Sequence, residues 1–241
     1  MIIELKKHTL LSIFLVFTIS GLAQNGTYHT VRDFETWTSA TFNYKVNKKI
    51  KLSLNEQLRL KDNSSTVDAY FTQLSLKYNF TKKLSLGIGA RYIRDNDDKG
   101  KIQGYENHLR WQADLEYKHK ISRFTMKYRT RYQNKDELGI TTDSAKTNFR
   151  LKLASTYNIK NWKFDPTVST EIFNGLSNDE GLNKIRFTLG TKYRTKHVGD
   201  FGLFYRMEKG LIGDSPKTTN IIGFKYDYTF KREKKDKEKS I

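Results

Sequence analysis

The sequence has no cysteine and only two prolines among its 241 residues. Disulfide bridges and thiolate metal sites are therefore excluded. Hydrophobic residues make up only 37% of the chain, and the mean hydropathy is -0.72, values typical of a strongly solvated chain. Aromatic residues nevertheless reach 13%, which disordered chains lack. A polar chain that is rich in tyrosine and phenylalanine suits a protein with one wet face and one apolar face.

Long apolar runs are also missing, with one exception near the N-terminus. A basic segment at residues 6–8 precedes an apolar stretch at residues 9–19, and the small residues Gly21 and Ala23 follow. This order predicts a secretory signal peptide over residues 1–23, because the apolar core is too short to span about 30 Å of hydrocarbon. No later stretch approaches the roughly 20 apolar residues of a transmembrane helix. The mature chain is thus expected to begin near Gln24 and to be exported.

Alternation with a period of two takes the place of apolar runs. In residues 105–119, YENHLRWQADLEYKH, polar and charged residues occupy one parity, whereas aliphatic and aromatic residues dominate the other. Stretches of this kind are longer than the usual ~5–6 residues of globular strands and fit tilted membrane strands. The pattern predicts strands at residues 35–46, 50–60, 68–80, 84–94, 105–119, 123–133, 145–158, 162–173, 182–195, 201–208 and 217–230.

The connections between these strands are predicted to alternate in length. Short turns are expected at residues 47–49, 81–83, near 120, 159–161 and 196–200, and longer polar loops at 61–67, 95–104, 134–144, 174–181 and 209–216. Outer-membrane barrels place short turns on the periplasmic side and longer loops outside, and they have an even number of strands. That rule requires one more short strand, for which residues 26–32 are the candidate.

The resulting fold prediction is all-β: a single antiparallel up-and-down transmembrane β-barrel of twelve strands, with ten as the alternative. Residues 24–33 form an N-terminal lead or short first strand, residues 34–230 the barrel, and residues 231–241 a charged tail. About eight strands enclose an interior that side chains can just fill. A wider barrel suits a polar lumen, so the apolar parity is expected to face lipid.

By this parity argument the lumen is strongly basic, which predicts a positive potential that favours anions. The alternative is structural, because ion pairs between the inward side chains would fill and rigidify the barrel. The expected lumen-lining residues are Arg59, Lys77, Arg91, Arg110, Asp114, Glu116, Lys127, Arg129, Arg131, Arg150, Lys152, Glu171, Arg186, Arg194, Arg206 and Lys225.

Several residues near strand ends or inside strands need separate comment. Glu56 breaks the apolar parity of its strand, which predicts either a β-bulge there or a carboxylate near an interface. Pro166 lacks a ladder donor and predicts a bulge or a local strand end. Aromatic girdles at the membrane interfaces are predicted at Trp37, Tyr44, Tyr78, Phe80, Trp162 and Tyr193.

The segment FETWTSATFNYKVNKKIKLSLNEQLRLKDNSSTVDAYFTQLSLKYNF, with LSLGIGARYIRDNDDKG after it, resembles the domain-of-unknown-function family twenty-four-ninety, predicted outer-membrane proteins of Gram-negative bacteria. The resemblance covers Phe34–Phe230 and implies an outer-membrane β-barrel, but it carries no catalytic residues. The last strand, which ends at Phe230, also resembles the C-terminal signal read by the barrel-assembly machinery, although eleven residues follow it.

Two local patterns carry possible chemistry. Asp95, Asp97 and Glu106 fall at ligand positions of a calcium loop, but Lys99 stands where an oxygen ligand is needed, so a polar hairpin loop is the competing interpretation. Glu106 and His108 share a face and could form a general-base pair, as in a lipid-modifying barrel enzyme, although no nucleophile elbow is present.

The sequence therefore predicts a non-enzymatic outer-membrane barrel, either structural or an anion-favouring diffusion pore. A lipid-modifying barrel enzyme and a secreted soluble ligand-binding barrel remain alternatives. No cofactor and no nucleic-acid partner are expected. The expected partners are outer-membrane lipid, the barrel-assembly machinery and small anionic solutes.

Overall fold

The computed structural model describes residues 31–98, 103–140, 145–177, 181–195, 197–213 and 215–230. The signal peptide predicted over residues 1–23 and the tail predicted over residues 231–241 lie outside them. Eleven strands in the described residues close into one barrel. They are β1 (Arg32–Lys45), β2 (Ile50–Lys61), β3 (Thr66–Asn79), β4 (Leu84–Asp97), β5 (Gly104–Ile121), β6 (Phe124–Glu137), β7 (Lys146–Tyr157), β8 (Phe164–Gly175), β9 (Gly181–Arg194), β10 (Asp200–Gly210) and β11 (Thr218–Phe230).

Closure of the barrel differs from the prediction. Consecutive strands pair antiparallel, but β1 pairs in parallel with β11, from Arg32 opposite Thr218 to Tyr44 opposite Phe230. The prediction of twelve strands and the alternative of ten were therefore both wrong. Contrary to the prediction, the barrel is also not antiparallel throughout. The physical reason is that the parallel ladder gives both terminal strands a partner, which leaves no free edge for another strand to cover. Apart from residues 31 and 32, the extra strand expected at residues 26–32 lies outside the described residues.

The connections lie at the two ends of the barrel. The described residues at the turn end are 46–49, 80–83, 122–123, 158–163, 195 and 197–199. Those at the loop end are 62–65, 98, 103, 138–140, 145, 176–177, 211–213 and 215–217. The loop end holds the longest connections, but 62–65 is as short as 46–49, because strands extend into several predicted loops. The odd strand number places Arg32 at the loop end and Phe230 at the turn end.

The outer and inner faces of the barrel have opposite character. In β5 the side chains of Leu109, Trp111 and Leu115 are exposed on the outside, whereas His108 and Gln112 are buried inside. The alternation predicted for residues 105–119 is thus confirmed. Large apolar side chains are exposed on every strand. An apolar interior, which a soluble ligand-binding barrel of the lipocalin kind would need, is not what the described residues form.

Aromatic residues collect near the turn end on the outer face. Ring pairs with centroids 4.8 to 5.3 Å apart lie in this region. They include Tyr78–Phe80, Phe124–Tyr157, Phe164–Tyr193, Phe201–Tyr226 and Tyr228–Phe230. Trp162 and Tyr44 are exposed there as well. This band has the form of an interfacial girdle.

Three predicted features have different outcomes in the structure. Glu56 stays on the outer face and accepts a hydrogen bond of 2.8 Å from the Thr72 hydroxyl, while the register shift of this strand pair lies later, between residues 59 and 60. Pro166 lies near the start of β8, where pairing with β7 has not yet begun, as a local strand end requires. Trp37 was wrongly assigned to a girdle, because it lies inside the barrel with 6% exposure.

Among the described residues, no helix has the length and apolar character needed to cross a membrane.

Candidate functional site: a basic lumen

Three cavities occupy the interior of the barrel. Cavity 1, of about 540 Å³, reaches toward the loop end, whereas cavity 2, of about 580 Å³, and cavity 3, of about 790 Å³, reach toward the turn end. Each is lined by strands from different sides of the barrel, so all three lie in the lumen. Lys225 lines all of them, Arg131 lines cavities 1 and 2, and Arg129 and Lys152 line cavities 1 and 3. The cavities are therefore separated by long cationic side chains rather than by backbone.

Every one of the predicted lumen residues lines a cavity. Cavity 1 is lined by Arg59, Arg91, Arg110, Arg129, Arg131, Arg150, Lys152, Glu171, Arg186, Arg206 and Lys225, cavity 2 by Lys77, Asp114 and Glu116, and cavity 3 by Lys127 and Arg194.

The charge of the lumen is uneven along the barrel. Among the described residues, the lining of cavity 1 contains twelve lysines and arginines and one carboxylate, that of Glu171. The lining of cavity 2 is nearly balanced, because four aspartates and glutamates face its cations. Cavity 3 is basic again, and Asp165 is the one carboxylate that the described residues place in its lining. A lumen with low-dielectric walls concentrates such a field, so anions are attracted most strongly toward cavities 1 and 3.

Glu171 forms the centre of a paired cluster on one side of the lumen. It is 2% exposed, and its Oε1 accepts hydrogen bonds from Arg129 at 2.6 Å and from Arg150 at 2.7 Å, while Arg186 reaches Oε2 at 3.2 Å. Arg186 also contacts Glu208 at 2.6 Å. Charge-assisted hydrogen bonds of this kind are the strong ones, and they hold β6, β7, β8, β9 and β10 together.

Four further arginines form what we call the arginine arc: Arg59 on β2, Arg91 on β4, Arg110 on β5 and Arg206 on β10. No member of the arc has a carboxylate oxygen within 4.0 Å among the described residues. The arginines that do have one in this part of the chain are Arg129, Arg131, Arg150, Arg186 and Arg194.

Neutral groups accept the hydrogen bonds of the arc. Arg91 donates to the Gln73 side chain at 2.8 Å, and Arg110 donates to that of Gln112 at 3.1 Å. Arg206 donates to the hydroxyl of Thr188 at 3.1 Å. These bonds fix the position of the three guanidinium groups, and none of their acceptors carries a charge.

Aromatic rings support the arc. The Arg59 guanidinium lies 3.8 Å from the centroid of Trp37, and the Arg91 guanidinium lies 3.5 Å from that of Phe71. The Arg206 guanidinium lies 4.9 Å from the centroid of the Trp37 ring and 4.6 Å from that of the Phe204 ring. Stacking on aromatic faces fixes the plane of a guanidinium and leaves its edge donors available.

Sequence reasoning missed these inward aromatic residues. Trp37 has the parity of Ser39, and Phe204 has the parity of Arg206, so parity could have placed both inside. The Phe204 ring lies directly against Gly223, where an added Cβ would meet the ring at 2.0 Å. Only glycine at this position lets the ring lie flat against the barrel wall.

The turn-end half of the lumen carries smaller ion pairs. Arg131 donates to both oxygens of Asp114, at 2.6 and 2.8 Å. Glu116 contacts Lys127 at 2.9 Å and also Lys77. The structure therefore brings together, as partners, several of the residues predicted from parity.

The His108 pattern from the sequence lies at the loop end. His108 Nε2 is 3.2 Å from Glu106 and 3.4 Å from Asp95, and Asp95 contacts Lys135 at 2.5 Å. The expected contact between His108 and Glu106 is thus present. Among the described residues, however, the hydrogen bond of this imidazole goes to a carboxylate and not to a nucleophilic hydroxyl.

The calcium-loop pattern is divided between two strands. Asp95 and Asp97 lie in β4, and Glu106 lies in β5. No group of three or more metal-binding side chains occurs among the described residues. Residues 99–102 of the loop lie outside them, so calcium binding stays a prediction.

Lys217 ties the parallel seam together just outside the strands. It contacts Asp33 at 2.9 Å and Glu35 at 3.6 Å, and the backbone N–H of Thr218 donates to the carbonyl of Val31. Partial burial lowers the pKa of Lys217, but the hydrogen bond to Asp33 and the nearby carboxylates outweigh this and raise it above its ordinary value. The loop-end mouth beside the seam is therefore less basic than cavity 1.

Comparison with known families adds one finding. A family model described as "Protein of unknown function (DUF2490)" matches residues 34–210. The chain belongs to this family. The DUF2490 match confirms the resemblance seen in the sequence, although it ends before β11. No curated protein matches the chain. Because the DUF2490 description assigns no activity, the functional argument rests on the chemistry of the lumen.

Proposed function

We propose that this DUF2490 protein is a non-enzymatic barrel of the outer membrane whose basic lumen favours the passage of small anions. The observation that carries the proposal is the lining of cavity 1, where the described residues supply twelve cations against one carboxylate. Cavity 1 shares Lys225, Arg129, Arg131 and Lys152 with the turn-end cavities. Flexible side chains, unlike backbone, can move aside for a solute.

The outer face supports a lipid environment. Leucines, tyrosines and phenylalanines are exposed around the barrel, and the aromatic band lies near the turn end. An apolar patch of this extent is uncommon on soluble monomers and marks contact with lipid or protein. Export through the predicted signal peptide over residues 1–23, and assembly through the strand that ends at Phe230, belong to the same proposal.

Membrane insertion is tested first. The protein is expected in the outer-membrane fraction, and its mobility on a detergent gel is expected to change on boiling, because a closed barrel resists unfolding in detergent without heat. A protein that is extracted without detergent and shows no mobility shift contradicts the membrane assignment.

Ion preference is tested next in planar bilayers. For purified protein in a potassium chloride gradient, the sign of the reversal potential is expected to show that chloride permeates more readily than potassium. Lys152→Gln with Lys225→Gln is expected to reduce this preference, because both cations line the junction between cavities. Arg94→Gln is the matched control, since Arg94 lies on the outer face over Tyr105 at 4.7 Å. No conductance, or a preference for potassium, contradicts the pore.

A further inference from the structure

The arginine arc differs from the rest of the lumen because its charge is not balanced locally. Its four members have no carboxylate within 4.0 Å among the described residues, whereas Glu171 alone has three arginines. Buried cations are normally paired with anions. Arg110 and Arg206 are buried and Arg59 and Arg91 are half-buried, so an arc with only neutral partners among the described residues is incomplete as a structural element.

Specific donors in the arc lack an acceptor. The Nε atoms of Arg59 and Arg110 are buried and make no hydrogen bond within the described residues. A buried donor without a partner is destabilising. The Nε atoms of Arg129 and Arg186 are also unpaired, but the charge of both these arginines is met by Glu171. Within the part of the chain that the structure describes, an unpaired arginine Nε coincides with an arginine that has no carboxylate within 4.0 Å only in the arc.

The arc faces cavity 1, although the Nε atoms of Arg59 and Arg110 are themselves buried. The guanidinium faces of Arg59 and Arg91 are covered by the rings of Trp37 and Phe71. Any further partner must therefore meet the guanidinium edges. All four members of the arc line cavity 1, so a solute in this cavity can reach them.

The members of the arc are close enough to act on one ligand. Arg59 and Arg206 lie over the same Trp37 ring, and Arg91 is the register partner of Arg110. The Phe71 ring lies between two members of the arc, 5.2 Å from Arg59 and 3.5 Å from Arg91. The cavity that the arc lines has a volume of about 540 Å³, within the range of small-molecule sites.

We propose that the arginine arc is a saturable binding site for a small, multiply charged phosphate compound. A guanidinium edge matches phosphate oxygens with two parallel hydrogen bonds. A singly charged ion would offset only one of the four arginines, whereas a diphosphate offers several charges and enough oxygens for all of them. Aromatic faces are already occupied by arginine, which disfavours a ligand that needs ring stacking. The proposal shares the basic lumen with the proposed function but does not require that the lumen conducts.

The test uses the full-length protein, folded in detergent and titrated calorimetrically with inorganic pyrophosphate. Saturable binding is expected, and Arg59→Gln combined with Arg91→Gln is expected to weaken it by about tenfold or more. Arg94→Gln with Lys120→Gln is the control, because it removes two charges away from the arc. The control is expected to change the dissociation constant by less than about twofold. Retention of the heat-dependent mobility shift shows that each variant is folded.

Three results would overturn the site. If pyrophosphate does not bind saturably, the proposed site does not exist. If the arc variant and the control weaken binding equally, the affinity comes from the overall charge of the lumen and not from the arc. If succinate binds to the arc as tightly as pyrophosphate does, the site does not select phosphate compounds. Binding without conductance supports the site and contradicts the pore, whereas conductance without binding does the reverse.

Discussion

On one side of the lumen, three arginines converge on Glu171 at 2.6 to 3.2 Å; on the other, Arg59 and Arg91 lie on aromatic rings and have no carboxylate partner among the described residues. Both sets are arginines on the inner parity of long strands. The difference is the partner. A guanidinium that is paired with a carboxylate uses its hydrogen-bond donors to stabilise the barrel. A guanidinium that is stacked on an aromatic ring leaves edge donors that a ligand could use.

This difference also separates the structural interpretation of the lumen from the functional one. Ion-pair ladders that fill a barrel describe the side around Glu171. They do not describe the arc, which contributes charge without a matching anion among the described residues. The lumen is therefore not uniform, and each side can be perturbed by its own substitutions.

The largest effect is expected from Glu171→Gln. This change leaves three arginines around a neutral amide at a position with 2% exposure. Removing one partner of a buried ion pair typically costs about 3–5 kcal/mol. The temperature of the heat-dependent mobility shift is expected to fall markedly. Glu106→Gln, whose side chain is 39% exposed, is the control and is expected to change it little. If both variants show the same mobility-shift temperature as the parent protein, the ion pairs of Glu171 do not stabilise the barrel.

Parity predicted which residues face the lumen, because a strand places alternate side chains on opposite faces whatever its neighbours are. It could not predict which arginine meets a carboxylate. Glu171 lies opposite Lys152 on β7 and Arg186 on β9, and this pairing follows from the stagger of neighbouring strands. The same limit applies to closure, since nothing in residues 32–45 indicates that β1 pairs in parallel with β11.

A carboxylate supplied to the arc is expected to make it resemble the other side. Gln73 accepts a hydrogen bond of 2.8 Å from Arg91, so Gln73→Glu would create an ion pair of nearly unchanged shape. A hydrogen bond to a charged group is worth about 1.5–3 kcal/mol, against about 1 kcal/mol for a neutral one. The mobility-shift temperature is expected to rise, and calorimetric titration is expected to show weaker pyrophosphate binding.

Gln133 offers the matched control for this change, because it too lines the lumen and accepts a hydrogen bond from an arginine. Its donor, Arg150 at 2.8 Å, is already paired with Glu171. Gln133→Glu therefore adds the same charge on the paired side of the lumen. It is expected to leave pyrophosphate binding less affected than Gln73→Glu does. Equal loss of binding in the two variants would show that total lumen charge, rather than the arc, decides affinity.

The smallest effect on stability is expected from Arg91→Gln. The change removes the contact of 3.5 Å with the Phe71 ring, but it also removes one cation from a set with no carboxylate partner among the described residues. A cation–π contact is worth roughly 0.5–2 kcal/mol, and relief of repulsion with Arg110 opposes its loss, so stability is expected to change by less than about 1 kcal/mol. A large drop in the mobility-shift temperature would instead make Arg91 a structural residue and remove the contrast between the two sides of the lumen.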